Sequence, residues 1–68
     1  MITEKVGRRI KFLRTEKGYS QEKLALLAGL DRTYVAGIES AKRNVTLISL
    51  EKIINALDIS VKEFFNFE

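Results

Sequence analysis

Residues 20–39 read SQEKLALLAGLDRTYVAGIE. Ser20 and Asp31 each precede a short helix-compatible run, and both side chains suit the N-cap position, where an oxygen accepts a hydrogen bond from an otherwise free backbone N–H. The stretch therefore predicts two helices, over residues 21–28 and 32–39, meeting at Gly29. Leu24, Ala25 and Ala28 share an inward face on the first, Val35 and Ile38 share one on the second, and Leu30 plugs the turn. The small side chains of Ala25 and Ala28 let the two helices approach closely. This is the helix-turn-helix layout, which presents its second helix to a DNA major groove.

Helices are also expected on either side of this stretch. Upstream, a helix begins at Thr3 or nearby; Val6, Ile10 and Leu13 recur at spacings of four and three to make one apolar stripe, and Gly18 marks its end. Arg8, Arg9, Lys11 and Arg14 form a basic flank, which usually means a solvated face. Phe12 lies off the stripe, so it either covers a neighbouring helix or is exposed. Downstream, residues 40–45, SAKRNV, form a loop. Thr46 then caps a helix through about residue 57, with Leu47, Leu50, Ile53, Ile54 and Leu57 on a single face and Asp58 ending it. Ser60 followed three residues later by Glu63 matches the capping-box pattern, so a last short helix starts near Val61 and carries Phe64 and Phe65. Five helices are expected. No stretch alternates long enough to be a strand, and no segment repeats.

A chain of 68 residues makes one small domain, with a thin margin between buried apolar surface and lost conformational entropy. At 46% hydrophobic and 31% charged residues the composition is globular. No apolar run approaches the roughly 18 residues of a membrane span. The polar start, MITEKVGRRIKF, lacks the apolar core and cleavage site of a signal peptide, so a cytoplasmic location and no membrane partner are expected. With no cysteine and no histidine, disulfides, thiolate chemistry, the usual zinc sites and a Ser-His-Asp triad are excluded. The carboxylates are scattered and no Gly-rich phosphate loop is present, so no enzyme, cofactor, metal or small-molecule ligand is expected. Residues 1–43 hold ten Lys or Arg against five Asp or Glu, whereas residues 44–68 hold two against four. A basic front and mildly acidic rear suit an electrostatically steered nucleic-acid binder, or merely an unevenly charged soluble surface.

With Val35 and Ile38 inward, Thr33, Ala36, Gly37 and Ser40 turn outward, flanked by Arg32 and Tyr34. Solvated helix faces normally carry Lys, Glu or Gln, because Gly costs about 1 kcal/mol in a helix interior. Ala36 and Gly37 make sense if another surface comes very close, such as a base edge; otherwise Gly37 is a weak spot near a helix end. Arg32, at the first helical position, can reach guanine bidentately, or is a plain surface arginine. Thr33 and Tyr34 offer hydroxyls to bases or phosphates, although Tyr34 can equally pack on the first motif helix. Gln21 stands at a helix start whose free N–H groups suit a phosphate, or serves only helix-start chemistry. Lys42, Arg43 and Asn44 lie in the following loop, where a backbone contact across the groove is natural and simple solvation the alternative. Arg14 and Glu39 flank the inward faces of their helices, and an ion pair between them would fix the tilt of the recognition helix.

Residues 7–30, GRRIKFLRTEKGYSQEKLALLAGL, resemble the opening of the phage-repressor (XRE) type of helix-turn-helix domain, in which a glycine, an isoleucine and an arginine on the first helix precede a glycine and SQ. LDRTYVAGIE, the following RN, and TLISLEKIINALDISVKEFF are similar to controller proteins of bacterial restriction-modification systems. Those are small dimeric regulators that bind operator DNA ahead of their own gene and the endonuclease gene, activating at low occupancy and repressing at high occupancy. The resemblance implies an all-α, compact five-helix, lambda-repressor-like domain. It also implies that Arg32, Thr33 and Tyr34 read bases or face the groove, that Gln21, Arg43 and Asn44 contact phosphates, and that Arg14 pairs with Glu39. Many relatives have a proline where Val45 stands and a polar residue where Phe12 stands.

A specific operator normally needs two recognition helices about 10 base pairs apart on a two-fold axis. With no separate dimerisation domain expected after residue 68, the interface falls to the last two helices. Ile48 lies off the inward stripe there, and Phe64, Phe65 and Phe67 are more aromatic surface than a short helix buries alone; the alternative is that two of those rings close the monomer core. The leading expectation is a homodimeric, sequence-specific regulator of transcription on a double-stranded DNA operator, with RNA polymerase a candidate further partner. The competing one is an antitoxin-like protein-interaction module whose aromatic surface occupies a toxin, with DNA binding secondary.

Overall fold

A computed structural model describes residues 1–67, which form α1 (Ile2–Glu16), α2 (Gln21–Ala28), α3 (Arg32–Glu39), α4 (Leu47–Ala56) and α5 (Val61–Phe64). There is no strand among the described residues. The all-α, five-helix expectation holds, and α2 and α3 have the boundaries that Ser20 and Asp31 imply.

Local chemistry sets the helix ends. Ser20 Oγ accepts the Lys23 N–H at 3.0 Å, Asp31 Oδ1 that of Thr33 at 3.1 Å, Thr46 Oγ1 that of Ser49 at 3.0 Å and Ser60 Oγ that of Glu63 at 3.0 Å. Each such cap contributes about 1 kcal/mol. At Ser60 and Glu63 only the serine half of the expected capping box forms among the described residues. Gly18 and Gly29 end α1 and α2 at φ +74 and +70. At Gly29 the reversal brings the Leu30 N–H to the Ala25 carbonyl at 2.9 Å and turns Leu30 onto the core. Asp58, at φ +58, ends α4 in the same left-handed conformation without being glycine.

α1 packs on α3, α2 on α3 and α4, and α4 on α5. The core takes Val6 and Ile10 from α1, Leu24, Ala25 and Ala28 from α2, Val35 and Ile38 from α3, and Leu50, Ile53, Ile54 and the adjoining Leu57 from α4. These are largely the faces that helical spacing predicts. At Gly7 two helices meet backbone to backbone: a Cβ there would strike the carbonyl oxygens of Ile38 and Glu39, so the missing side chain is what lets α1 lie against the end of α3.

Three apolar residues depart from expectation. Leu13 is only partly buried. Leu47 is 85% exposed: it opens α4 at the rim of an open recess lined by Ile2, Val45, Leu50 and Phe65. Phe64 is wholly buried, with edge-on contacts to Phe65 and Phe67 at centroid distances of 5.0 and 6.3 Å. Its assignment to a dimer interface is therefore corrected. α5 is a single turn, and Phe64 is its one buried residue, closing the protomer's own core. Among the described residues no helix is long and apolar enough to cross a membrane.

Candidate nucleic-acid interface

The orientation of α3 is set by a buried polar cluster at its C-terminal end. Arg14 Nε donates to Glu39 Oε2 at 2.7 Å and Arg14 Nη2 to Oε1 at 3.0 Å, while Arg14 Nη1 donates to the Tyr19 carbonyl at 2.8 Å. Their side chains are only 10% and 4% exposed. Hydrogen bonding to Glu39 raises the Arg14 pKa further, with its charge adding to the effect and burial opposing it. The bidentate fork fixes both distance and plane, so this pair locks the last residue of α3 to α1, as its flanking positions suggest.

Gln21 belongs to the same cluster. Its Nε2 donates to Glu39 Oε1 at 3.0 Å, tying the start of α2 to the end of α3. One N–H of the Gln21 amide is thus engaged within the protein, while the expectation at this position concerns the helix-start backbone N–H groups. Arg32 opens α3 with its side chain exposed, on a shallow recess shared with Ser20, Gln21 and Glu22, and forms no ion pair among the described residues. Thr33 is exposed beside it, its Oγ1 held by Asp31 Oδ1 at 3.2 Å.

Tyr34 is partly buried against the core. Its hydroxyl donates to the Asn44 carbonyl at 3.3 Å, and its ring lies 5.3 Å from the Arg43 guanidinium carbon. Hydrogen bonding from Ser49, supported by Thr46 and by the charge of Arg43, lowers the phenol's pKa below the ordinary tyrosine value despite desolvation. Besides packing on the core, the side chain braces the 40–45 loop through Arg43 and Asn44. The hydroxyl is correspondingly less free to read a base.

Ala36 and Gly37 are half-buried on the outward side of α3. The surface lying close to Gly37 belongs to the protein: Arg43 Cγ and Cβ occupy the space that a Cβ on Gly37 would need. The loop folds back over the helix end because Ala41 turns at φ +61 and the N–H groups of Lys42 and Arg43 both reach the Gly37 carbonyl, at 2.9 and 3.1 Å. Lys42, Arg43 and Asn44 are exposed. The fold thus gathers Arg32, Thr33, Ala36, Gly37 and Arg43 along one side of α3, with Gln21 at its rim and Lys42 and Asn44 beyond its end.

Arg9 has a structural part that helical spacing did not reveal. Its Nε and Nη2 donate to the carbonyls of Phe64 and Glu63, both at 2.9 Å, and its guanidinium carbon lies 5.5 Å from the Phe67 centroid and 5.7 Å from that of Phe12. It closes the last turn of α5 from α1, so part of the basic flank is not simply solvated. Phe12 is half-exposed beside it. In the proposed interface region, Ile48 is 69% and Phe65 43% exposed, while Phe67 is partly buried against the core.

The helix-turn-helix family pattern matches residues 10–64. The chain is 48% identical to the control protein C.MunI of a Mycoplasma sp over 66 residues, spanning 96% of this chain and 89% of that relative. Its fold matches the restriction-modification controller protein C.AhdI from Aeromonas hydrophila with a TM-score of 0.88 and 52% identity, over 93% of this chain and 96% of that one. It also matches the controller protein C.Esp1396I, solved as a tetramer in complex with its natural 35 base-pair operator, with a TM-score of 0.91 and 48% identity, over 96% of this chain and 86% of that one.

Proposed function

The chain belongs to the helix-turn-helix family of restriction-modification controller proteins, and from that premise we propose that it is a sequence-specific, double-stranded DNA-binding regulator of transcription acting as a homodimer on a palindromic operator. The observation that carries this reading is the exposed start of α3. Arg32 and Thr33 are exposed there, on a helix whose other end is clamped by Arg14 and Glu39. A recognition helix needs both properties, because a bidentate contact to a base edge tolerates little misplacement.

In this reading Arg32, Thr33 and Ala36 meet base edges, with Arg32 suited to guanine. Lys42, Arg43, Asn44 and the backbone N–H groups at the start of α2, where Gln21 stands, meet phosphates on either side of the groove. The single domain dimerises through the surface between α4 and α5, where Ile48 and Phe65 are exposed and Leu47 and Phe67 adjoin them. The operator complex of C.Esp1396I favours DNA recognition over the antitoxin-like alternative. Regulators, not enzymes, make up the family.

Selection of bound duplexes from a random pool tests the proposal. A palindromic motif with half-sites about 10 base pairs apart is expected, and absence of any enriched sequence would refute it.

A further inference from the structure

We infer that Gly37 is a positioning residue for Arg43: by lacking a side chain it forms the seat that holds this loop arginine across the outward face of α3 before DNA arrives. The inference rests on the DNA-binding reading above and deepens it. An exposed arginine on a loop ordinarily samples many rotamers and loses that freedom on binding, which weakens the complex. Here the freedom is already restricted. The carbonyl of Gly37 takes the N–H groups of both Lys42 and Arg43, fixing where the arginine leaves the backbone. Its Cβ, Cγ and Cδ then run over Gly37 in space that any Cβ would fill, and its guanidinium ends over the Tyr34 ring at 5.3 Å. Tyr34 is in turn tied by its hydroxyl to the carbonyl of Asn44, on the other side of Arg43.

The seat changes what Gly37 means. If the residue were small so that a base could approach, a methyl group there would weaken binding whatever stands at position 43. If it is small to seat Arg43, a methyl group weakens binding only while Arg43 is present. Folding separates from both, because alanine is the better helix former and the atoms it would displace belong to a flexible side chain.

The test is a double-mutant cycle on the duplex selected by the wild-type protein, read by fluorescence anisotropy, with thermal melts of each variant. Gly37→Ala is expected to melt no lower than wild type yet to bind about five- to tenfold more weakly, as expected for lost pre-organisation of one contact. Arg43→Ala is expected to lose about tenfold or more, and the double variant to bind no worse than Arg43→Ala alone. In the free protein, the Arg43 side-chain protons are expected to show an upfield ring-current shift from Tyr34, which Gly37→Ala should abolish. If Gly37→Ala costs as much in the Arg43→Ala background as it does with Arg43 in place, or leaves the Arg43 shift unchanged, the inference is overturned. A wild-type protein that selects no duplex overturns the DNA-binding reading as well, and that result is seen before any variant is made.

Discussion

Replacing Gly7 with alanine places a methyl group where α1 and α3 touch backbone to backbone. The new Cβ meets the carbonyl oxygens of Ile38 and Glu39 at less than contact distance. Neither oxygen can swing aside, since both lie at the end of a helix held by the Arg14–Glu39 fork. α1 must therefore lift off α3, loosening Val6 and Ile10 and stretching hydrogen bonds of 2.7 and 3.0 Å. Overpacking of this kind costs about 1–3 kcal/mol; strain on the buried pair adds to it, and the helix preference of alanine returns up to about 1 kcal/mol. A net loss of about 2 kcal/mol is expected. For a domain this small, that lowers Tm by roughly 8–16 °C. Circular dichroism melts at one fixed protein concentration measure it, because the proposed dimerisation would otherwise move Tm. Lys5→Ala, on the exposed side of α1, serves as the control and should stay within about 0.5 kcal/mol of wild type. A Gly7→Ala protein as stable as wild type would refute the close-approach argument.

Glu39→Ala leaves the Arg14 guanidinium buried with only the Tyr19 carbonyl and should destabilise by about 3 kcal/mol in urea melts, whereas Arg14→Met combined with Glu39→Met should lose clearly less than the two single changes together. Arg32→Ala should cost roughly 1–3 kcal/mol and relax the preference at one base position of each half-site, read by repeating the duplex selection; a uniform loss over all sequences would assign Arg32 to the phosphates instead. Phe65→Ser with Ile48→Ser should shift sedimentation equilibrium toward monomer while leaving the helical circular dichroism intact. Phe64→Ala, by contrast, should cost about 3–5 kcal/mol of fold stability. A dimer unaffected by the first pair would move the interface elsewhere.

Much of this protein could be read along the chain because the deciding interactions are local. Ser20, Asp31, Thr46 and Ser60 each cap a helix within three residues of themselves, and helical spacing sorts Leu24, Ala25, Val35, Ile38, Leu50 and Ile53 onto the buried side. The pair of Arg14 and Glu39 was legible from their flanking positions and from the family resemblance. Interactions between distant elements were less so. Nothing near Arg9 announces that it closes α5, some 55 residues away, and Phe64 reads like its neighbour Phe65 until the single turn of α5 shows which ring points inward.

The sequence by itself thus determined five helices, the caps of four of them, their inward faces and the presence of a helix-turn-helix, since propensity, capping and periodicity act over a few residues. Only the tertiary structure decided what the small and polar residues are for. Gly7 admits α3, Gly37 seats Arg43, Tyr34 braces the loop, and Gln21 joins the Arg14–Glu39 cluster. Each of these depends on which backbone or side chain lies opposite, and that is fixed when the helices pack together.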